Sequence, residues 1–99
     1  MNKLDLKITE IATKDMETIA DYIAKDNKNA AIKLLKHFYK SFEKLSAYPN
    51  IGIKRPDFTY KNVKFYVVKK QYLIIYTTIE DTIQILRILA TYQDICSML

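Results

Sequence analysis

Leu4, Leu6 and Ile8 alternate with Lys3, Asp5 and Lys7, the period of two that places alternate side chains on opposite faces of a strand. The pattern predicts a strand over residues 3–9. From Thr13 the period changes. Thr13 is a candidate N-cap, Asp15 and Glu17 follow near the positive end of a helix dipole, and Met16, Ile19, Ala20 and Ile23 recur at helical spacing to about Lys25. Asp26 to Asn29 is a polar break, with Asn29 as the next candidate cap. Beyond it Ala31, Leu34, Leu35, Phe38, Phe42 and Leu45 make one apolar stripe, while Lys33, Lys36, Lys40 and Lys44 fall on a different face. Tyr48-Pro49 ends this helix, because a residue before proline avoids the helical region.

Residues 49–62 hold the only glycine, Gly52, and both prolines, Pro49 and Pro56, and read as a loop that also carries Lys54 and Arg55. Three strand-like runs follow over 63–69, 72–78 and 82–90, separated by polar turns at Lys70-Gln71 and Glu80-Asp81. The expected architecture is a single α+β domain over residues 1–99. An N-terminal strand and a helical hairpin precede a three-stranded antiparallel meander, in one sheet with the helices packed on one face.

The last two strands are apolar on both faces. Period-two geometry points Ile83 and Ile85 one way and Leu86, Ile88 and Ala90 the other. Two helices cover only one face of such a sheet, so the other face needs its own cover. The 49–62 loop, the chain termini, a protein partner or a second copy of the chain could each supply it.

A length of 99 residues is enough for one core, and 49% hydrophobic with 27% charged residues is a globular composition. The lone Cys96 can form no intramolecular disulfide, there is no basic–apolar secretory leader, and no apolar run approaches the roughly 20 residues of a membrane span. A cytoplasmic protein that does not enter membranes is expected. The net charge of +5 suits an acidic partner, either nucleic acid or an acidic protein segment; it also serves solubility.

Candidate chemistry is sparse. His37 and Cys96 cannot supply the three or four ligands of a zinc site, and one glycine cannot build a phosphate loop. No metal and no cofactor are expected. Arg87 interrupts the run Ile85-Leu86-Arg87-Ile88-Leu89, where a charge needs a carboxylate, a phosphate or water. Asp94 or Glu80 could pair with it in a structural role, and a phosphate or an acidic peptide could pair with it in a functional one. Tyr66, Tyr72, Tyr76 and Tyr92 lie on or beside the sheet, placed for packing or for base stacking.

The order of elements, with several phrases, resembles the ParE/RelE toxin superfamily over nearly the whole chain. Ala12-Thr13-Lys14-Asp15 through Ile19-Ala20-Asp21-Tyr22-Ile23 resembles its first helix, and Ala30-Ala31 the paired alanines of its second. Leu45, Pro49, Gly52 and Arg55 match a leucine, proline, glycine and basic residue in sequence order. Tyr72-Leu73-Ile74-Ile75-Tyr76 resembles the central strand, and Ile83-Gln84-Ile85-Leu86-Arg87-Ile88-Leu89 the last one.

The resemblance implies the toxin of a type II toxin–antitoxin pair, neutralised by a cognate antitoxin that wraps across the sheet and helices. Homodimers or toxin–antitoxin hetero-oligomers are the assemblies it implies. RelE-like members cleave mRNA on the ribosome; ParE-like members inhibit DNA gyrase without a known catalytic site. Cleaving a phosphodiester requires a deprotonated nucleophile, a protonated leaving group and a stabilised phosphorane. Where many relatives read leucine, histidine, two variable residues, arginine and aspartate, this chain has Leu89-Ala90-Thr91-Tyr92-Gln93-Asp94, and Leu73 stands where RelE-like nucleases have arginine. The resemblance therefore favours a ParE-like gyrase inhibitor, with Lys54, Arg55, Lys64, Arg87 and Tyr92 as residues expected to bind the target or antitoxin. Lys64, Arg87 and Tyr92 are the candidate catalytic groups should the chain instead be an mRNA endonuclease.

Overall fold

The computed structural model of the chain describes residues 3–55 and 61–91. Its elements are β1 (Asp5–Ile8), α1 (Glu10–Ala24), α2 (Lys28–Ala47), β2 (Lys64–Val68), β3 (Tyr72–Ile79) and β4 (Thr82–Ala90). One four-stranded sheet has the order β1-β4-β3-β2. The meander pairs antiparallel, and β1 joins its far edge parallel to β4, with Leu6 opposite Ile83 and Ile8 opposite Ile85. As the edge strand β1 is only half covered: Leu4 and Ile8 pack against the core, whereas Leu6 remains 40% exposed.

Both helices start earlier than the sequence pattern predicts. The cap of α1 is Thr9, not Thr13: its hydroxyl accepts from the Ala12 amide at 3.2 Å and donates to the Ile85 carbonyl at 2.9 Å. That second contact is 76 residues away in sequence, so local propensity could not reveal it. The first turn of α1 accordingly carries Glu10, and Asp15 lies in the helix interior. Likewise Asn27, not Asn29, caps α2 by accepting from the Ala30 amide at 3.0 Å.

The helix-facing core joins Ala12 and Met16 of α1 and Leu34, Phe38, Phe42 and Leu45 of α2 to Val68, Ile74, Tyr76, Ile83, Ile85 and Ile88 of the sheet. Ile88 shares this face with Ile83 and Ile85, contrary to the simple period-two expectation. The reason is a β-bulge. Tyr76 pairs with Ile85 and Ile75 with Arg87, so Leu86 and Arg87 together oppose one residue of β3 and the alternation shifts by one.

The opposite face is buried at its centre but not at its margin, where Val67, paired with Leu73, is 52% exposed. Val63, Phe65, Leu73, Ile75 and Leu89 form a second buried cluster, with Leu86 packed against it, and Ile75 and Leu89 are each 1% exposed. The Pro49–Asn62 loop contributes a backbone bridge, in which the Ile53 and Phe65 amides each donate to the other's carbonyl, at 3.0 and 2.8 Å. The two hairpin turns have matching backbones. Lys69 and Lys70, then Glu80 and Asp81, all have positive φ between 47° and 61°, the type I′ geometry of two-residue hairpins. The first turn is thus centred on Lys69-Lys70 and not on Lys70-Gln71; adopting the left-handed region without glycine overrides local preference here.

Candidate functional site

The Pro49–Asn62 loop is held to the sheet by Tyr76. This tyrosine is fully buried at the middle of β3, and its hydroxyl donates to the Pro49 carbonyl at 2.8 Å while accepting from the Gly52 amide at 2.9 Å. Gly52 is required by this approach and not by its backbone angles: an added Cβ would stand 2.4 Å from the Tyr76 oxygen. Burial pushes the Tyr76 phenol above its ordinary range, partly opposed by the Gly52 hydrogen bond and reinforced by Tyr66.

With the loop anchored, Lys54 comes to the same cleft as Lys64. Pro49, Asn50, Lys54, Asn62, Lys64, Thr77 and Thr78 line a polar hollow of about 320 Å³. Lys64 donates to the Asn50 side-chain oxygen at 2.6 Å, and the Thr77 hydroxyl donates to the Asn62 carbonyl at 3.0 Å. Two ammonium groups flanked by amide and hydroxyl donors suit an anionic group such as a carboxylate or phosphate. Arg55 follows Lys54 and is half-buried.

Arg87 does not line that cleft. Its guanidinium is held by Asp15 of α1, with Nε and Nη2 donating to the two carboxylate oxygens at 2.9 and 3.1 Å. The same carboxylate accepts the Ile88 amide at 3.0 Å. β1 pairs with β4 only as far as Ile85, so Asp15 serves the next stretch of that strand in place of a neighbouring strand. The Asp15 hydrogen bonds raise the Arg87 guanidinium above its usual range against the opposing effect of burial. Arg87 thus has a carboxylate partner, but it is Asp15 and not Glu80; Asp94 and Tyr92 lie outside the described residues, as do Gln93 and Cys96.

Ala90 is buried at the end of β4, and Leu73 belongs to the second apolar cluster. His37 stands exposed on α2 beside Lys33, Lys36 and Lys40. A further groove of about 430 Å³, lined by Thr18, Ile19, Tyr22, Ile23, Tyr72 and Ala90 among others, opens between α1 and the ends of β3 and β4. Among the described residues, no group of three histidine, cysteine or acidic side chains could hold a metal ion, and no helix is long and apolar enough to cross a membrane.

Residues 6–95 match the family model for the ParE toxin of the type II toxin-antitoxin system, parDE. The chain belongs to the ParE toxin family. Two solved structures share the fold. A chain of the chromosomal ParDE toxin–antitoxin system from P. aeruginosa superposes with a TM-score of 0.74 and 24% identity, over 89% of this chain and 96% of that one. A chain of the toxin–antitoxin complex RelBE2 from Mycobacterium tuberculosis superposes at 0.59 with 17% identity, covering 94% and 97%. No curated protein matches the sequence of this ParE-family chain at a significant level.

The sequence singled out Lys54, Lys64 and Arg87, and the fold gathers the first two while assigning Arg87 to another edge. It missed Asn50 and Asp15, the polar partners of these cations. Asp15 sat in view as an acid on the first helix, but only the pairing of β4 with that helix marks it as the partner of Arg87.

Proposed function

We propose that this ParE-family toxin arrests growth by binding DNA gyrase, without a catalytic site of its own, and that a cognate antitoxin neutralises it in the cytoplasm. Residues 1–99 are read as one toxin domain. The observation that carries this reading is the separation of the basic groups. Lys54 and Lys64 share one cleft, while Arg87 is committed to Asp15 at the opposite edge of the meander. Stabilising a phosphorane needs converging cations together with a proton donor and acceptor, and this arrangement suits recognition of an acidic surface better than cleavage. The Lys54–Lys64 cleft, with Arg55 beside it, is the contact we assign to the target.

The antitoxin has a different surface to bury. Ile11 and Tyr22 on α1 and Ile32 and Tyr39 on α2 are each more than half exposed, and the groove beside Tyr22 is mainly apolar. An amphipathic segment laid across these helices would cover them. The centre of the second sheet face is already buried, with Ile75 and Leu89 each 1% exposed, so the helical layer offers the larger set of exposed apolar side chains.

The test is inducible expression in a bacterial host, following growth, plasmid supercoiling and the ends of chosen mRNAs. Growth arrest with lost supercoiling and intact messages is the expected result. Arrest with codon-positioned cuts would replace it with the ribosome-dependent endonuclease reading, and normal growth would show that the target differs or that toxicity is lost.

A further inference from the structure

Net charge is not spread evenly over this chain. α2 contains Lys28, Lys33, Lys36, Lys40 and Lys44 against the single Glu43, so five minus one gives +4 of the chain's +5. α1 contains Lys14 against Glu10, Asp15, Glu17 and Asp21, a balance of −3. The residues outside the two helices, ten cations against six acids, add a further +4, so α2 is not the sole source of the excess but is the helix on which positive charge is concentrated.

Within α2 it belongs to one face. Lys33, Lys36, His37 and Lys40 recur at spacings of three and four, all four are exposed, and together they line a shallow depression of about 180 Å³. The opposite side of the helix carries Ala31, Leu34, Phe38, Phe42 and Leu45 into the core, so the basic face points away from the body of the protein. Among the described residues no carboxylate pairs with Lys33, Lys36 or Lys40. Lys44, next along, is drawn toward the sheet and sits 5.9 Å from the Tyr66 ring. Neither the fold nor the proposed gyrase contact at Lys54 and Lys64 uses this face.

We propose that the Lys33–Lys36–His37–Lys40 face of α2 is a docking surface for the phosphate backbone of duplex DNA, bound without regard to sequence. Three ammonium groups span seven residues, about 10 Å along the helix at 1.5 Å per residue, which places them along a short row of phosphates. Lysines are hydrated point charges suited to phosphate contact and lack the bidentate geometry by which arginine reads guanine. The face is a convex rod. A single strand would call instead for a groove with stacking rings, whereas this face is convex and the half-exposed Tyr39 ring is in a T-shaped contact with Phe42.

The purified chain is titrated against a fluorescent 24-base-pair duplex of arbitrary sequence between 50 and 200 mM KCl, with anisotropy as the readout. Three phosphate contacts give a slope of log K against log salt of about −2.7, or a loss of affinity of about 40-fold over that range. The triple variant Lys33→Gln, Lys36→Gln, Lys40→Gln is expected to bind at least tenfold more weakly at 50 mM KCl and to lose that share of the slope. The charge-matched control Lys7→Gln, Lys14→Gln, Lys25→Gln, all exposed positions outside α2, is expected to bind within a few-fold of the parent. Circular dichroism of both variants keeps a folding defect distinguishable from lost binding. Equal weakening in the control would overturn the proposal in favour of diffuse net charge. No duplex binding at 50 mM KCl would overturn it too, as would α2-dependent binding to a poly-glutamate peptide or anionic vesicles but not to DNA.

Discussion

Replacing Asp15 tests how the edge of the sheet is held. Its carboxylate accepts the Arg87 guanidinium through two hydrogen bonds and the amide of Ile88, a residue that is 1% exposed. The Asp15 and Arg87 side chains are 16% and 26% exposed, between the fully wet pairs that contribute almost nothing and the dry ones that are costly to break. Asp15→Ala leaves the Ile88 amide without its acceptor, at about 1–3 kcal/mol, and removes a charge-assisted pair for about 1 kcal/mol more. A total loss of about 2–4 kcal/mol follows. Asp15→Asn preserves an acceptor for the amide and should cost about half as much, while Arg87→Met retains the apolar stem and should cost about 1 kcal/mol. In a chain of this size each kcal/mol moves Tm by about 4–8 °C, so thermal melts of the two single variants and the double variant resolve the cycle. The expected coupling between Asp15→Asn and Arg87→Met is about 1 kcal/mol. Coupling below about 0.3 kcal/mol, with Asp15→Ala as stable as the parent, would refute the assignment of Arg87 to the fold. Neither Asp15→Asn nor Arg87→Met should abolish growth arrest at temperatures well below its Tm.

Other consequences follow from the loop anchor and the turns. Gly52→Ala forces a methyl group against the Tyr76 hydroxyl, and thermal melts should show a loss of about 2–3 kcal/mol. Because the folded state raises the Tyr76 pKa, that state holds the phenolic proton more tightly; its contribution is present below about pH 10, the ordinary tyrosine value, and declines above it. Tyr76→Phe should therefore be less stable than the parent at neutral pH and show a shallower alkaline loss of stability in urea melts between pH 9 and 11. Lys69→Asn with Lys70→Gly replaces two lysines held at positive φ by residues suited to a type I′ turn, and should raise stability by about 1 kcal/mol or more.

Much of the fold was legible because its signals are local. The apolar stripe of α2 fixed that helix, Tyr48-Pro49 fixed its end, and the three β-rich runs fixed the meander. What escaped depended on contacts distant in sequence. Thr9 outcompetes Thr13 as a cap because its hydroxyl also reaches the Ile85 carbonyl, and the bulge at Leu86-Arg87 moves Ile88 to the helix-facing side without any glycine or proline to announce it. The candidate site divides in the same way. Lys54 and Lys64 were visible as cations, but their meeting depends on the Tyr76 hydroxyl drawing the loop onto β3. The partner of Arg87 could have been any acid in the chain until α1 was seen to run past the end of β1.

Direct titration of the purified chain into a reaction in which DNA gyrase supercoils relaxed plasmid tests the central claim. Supercoiling should fall as the chain is added, and the double variant Lys54→Gln, Lys64→Gln should need at least tenfold more protein for the same effect while melting like the parent. Undiminished supercoiling with the folded parent in large excess over gyrase would contradict the account.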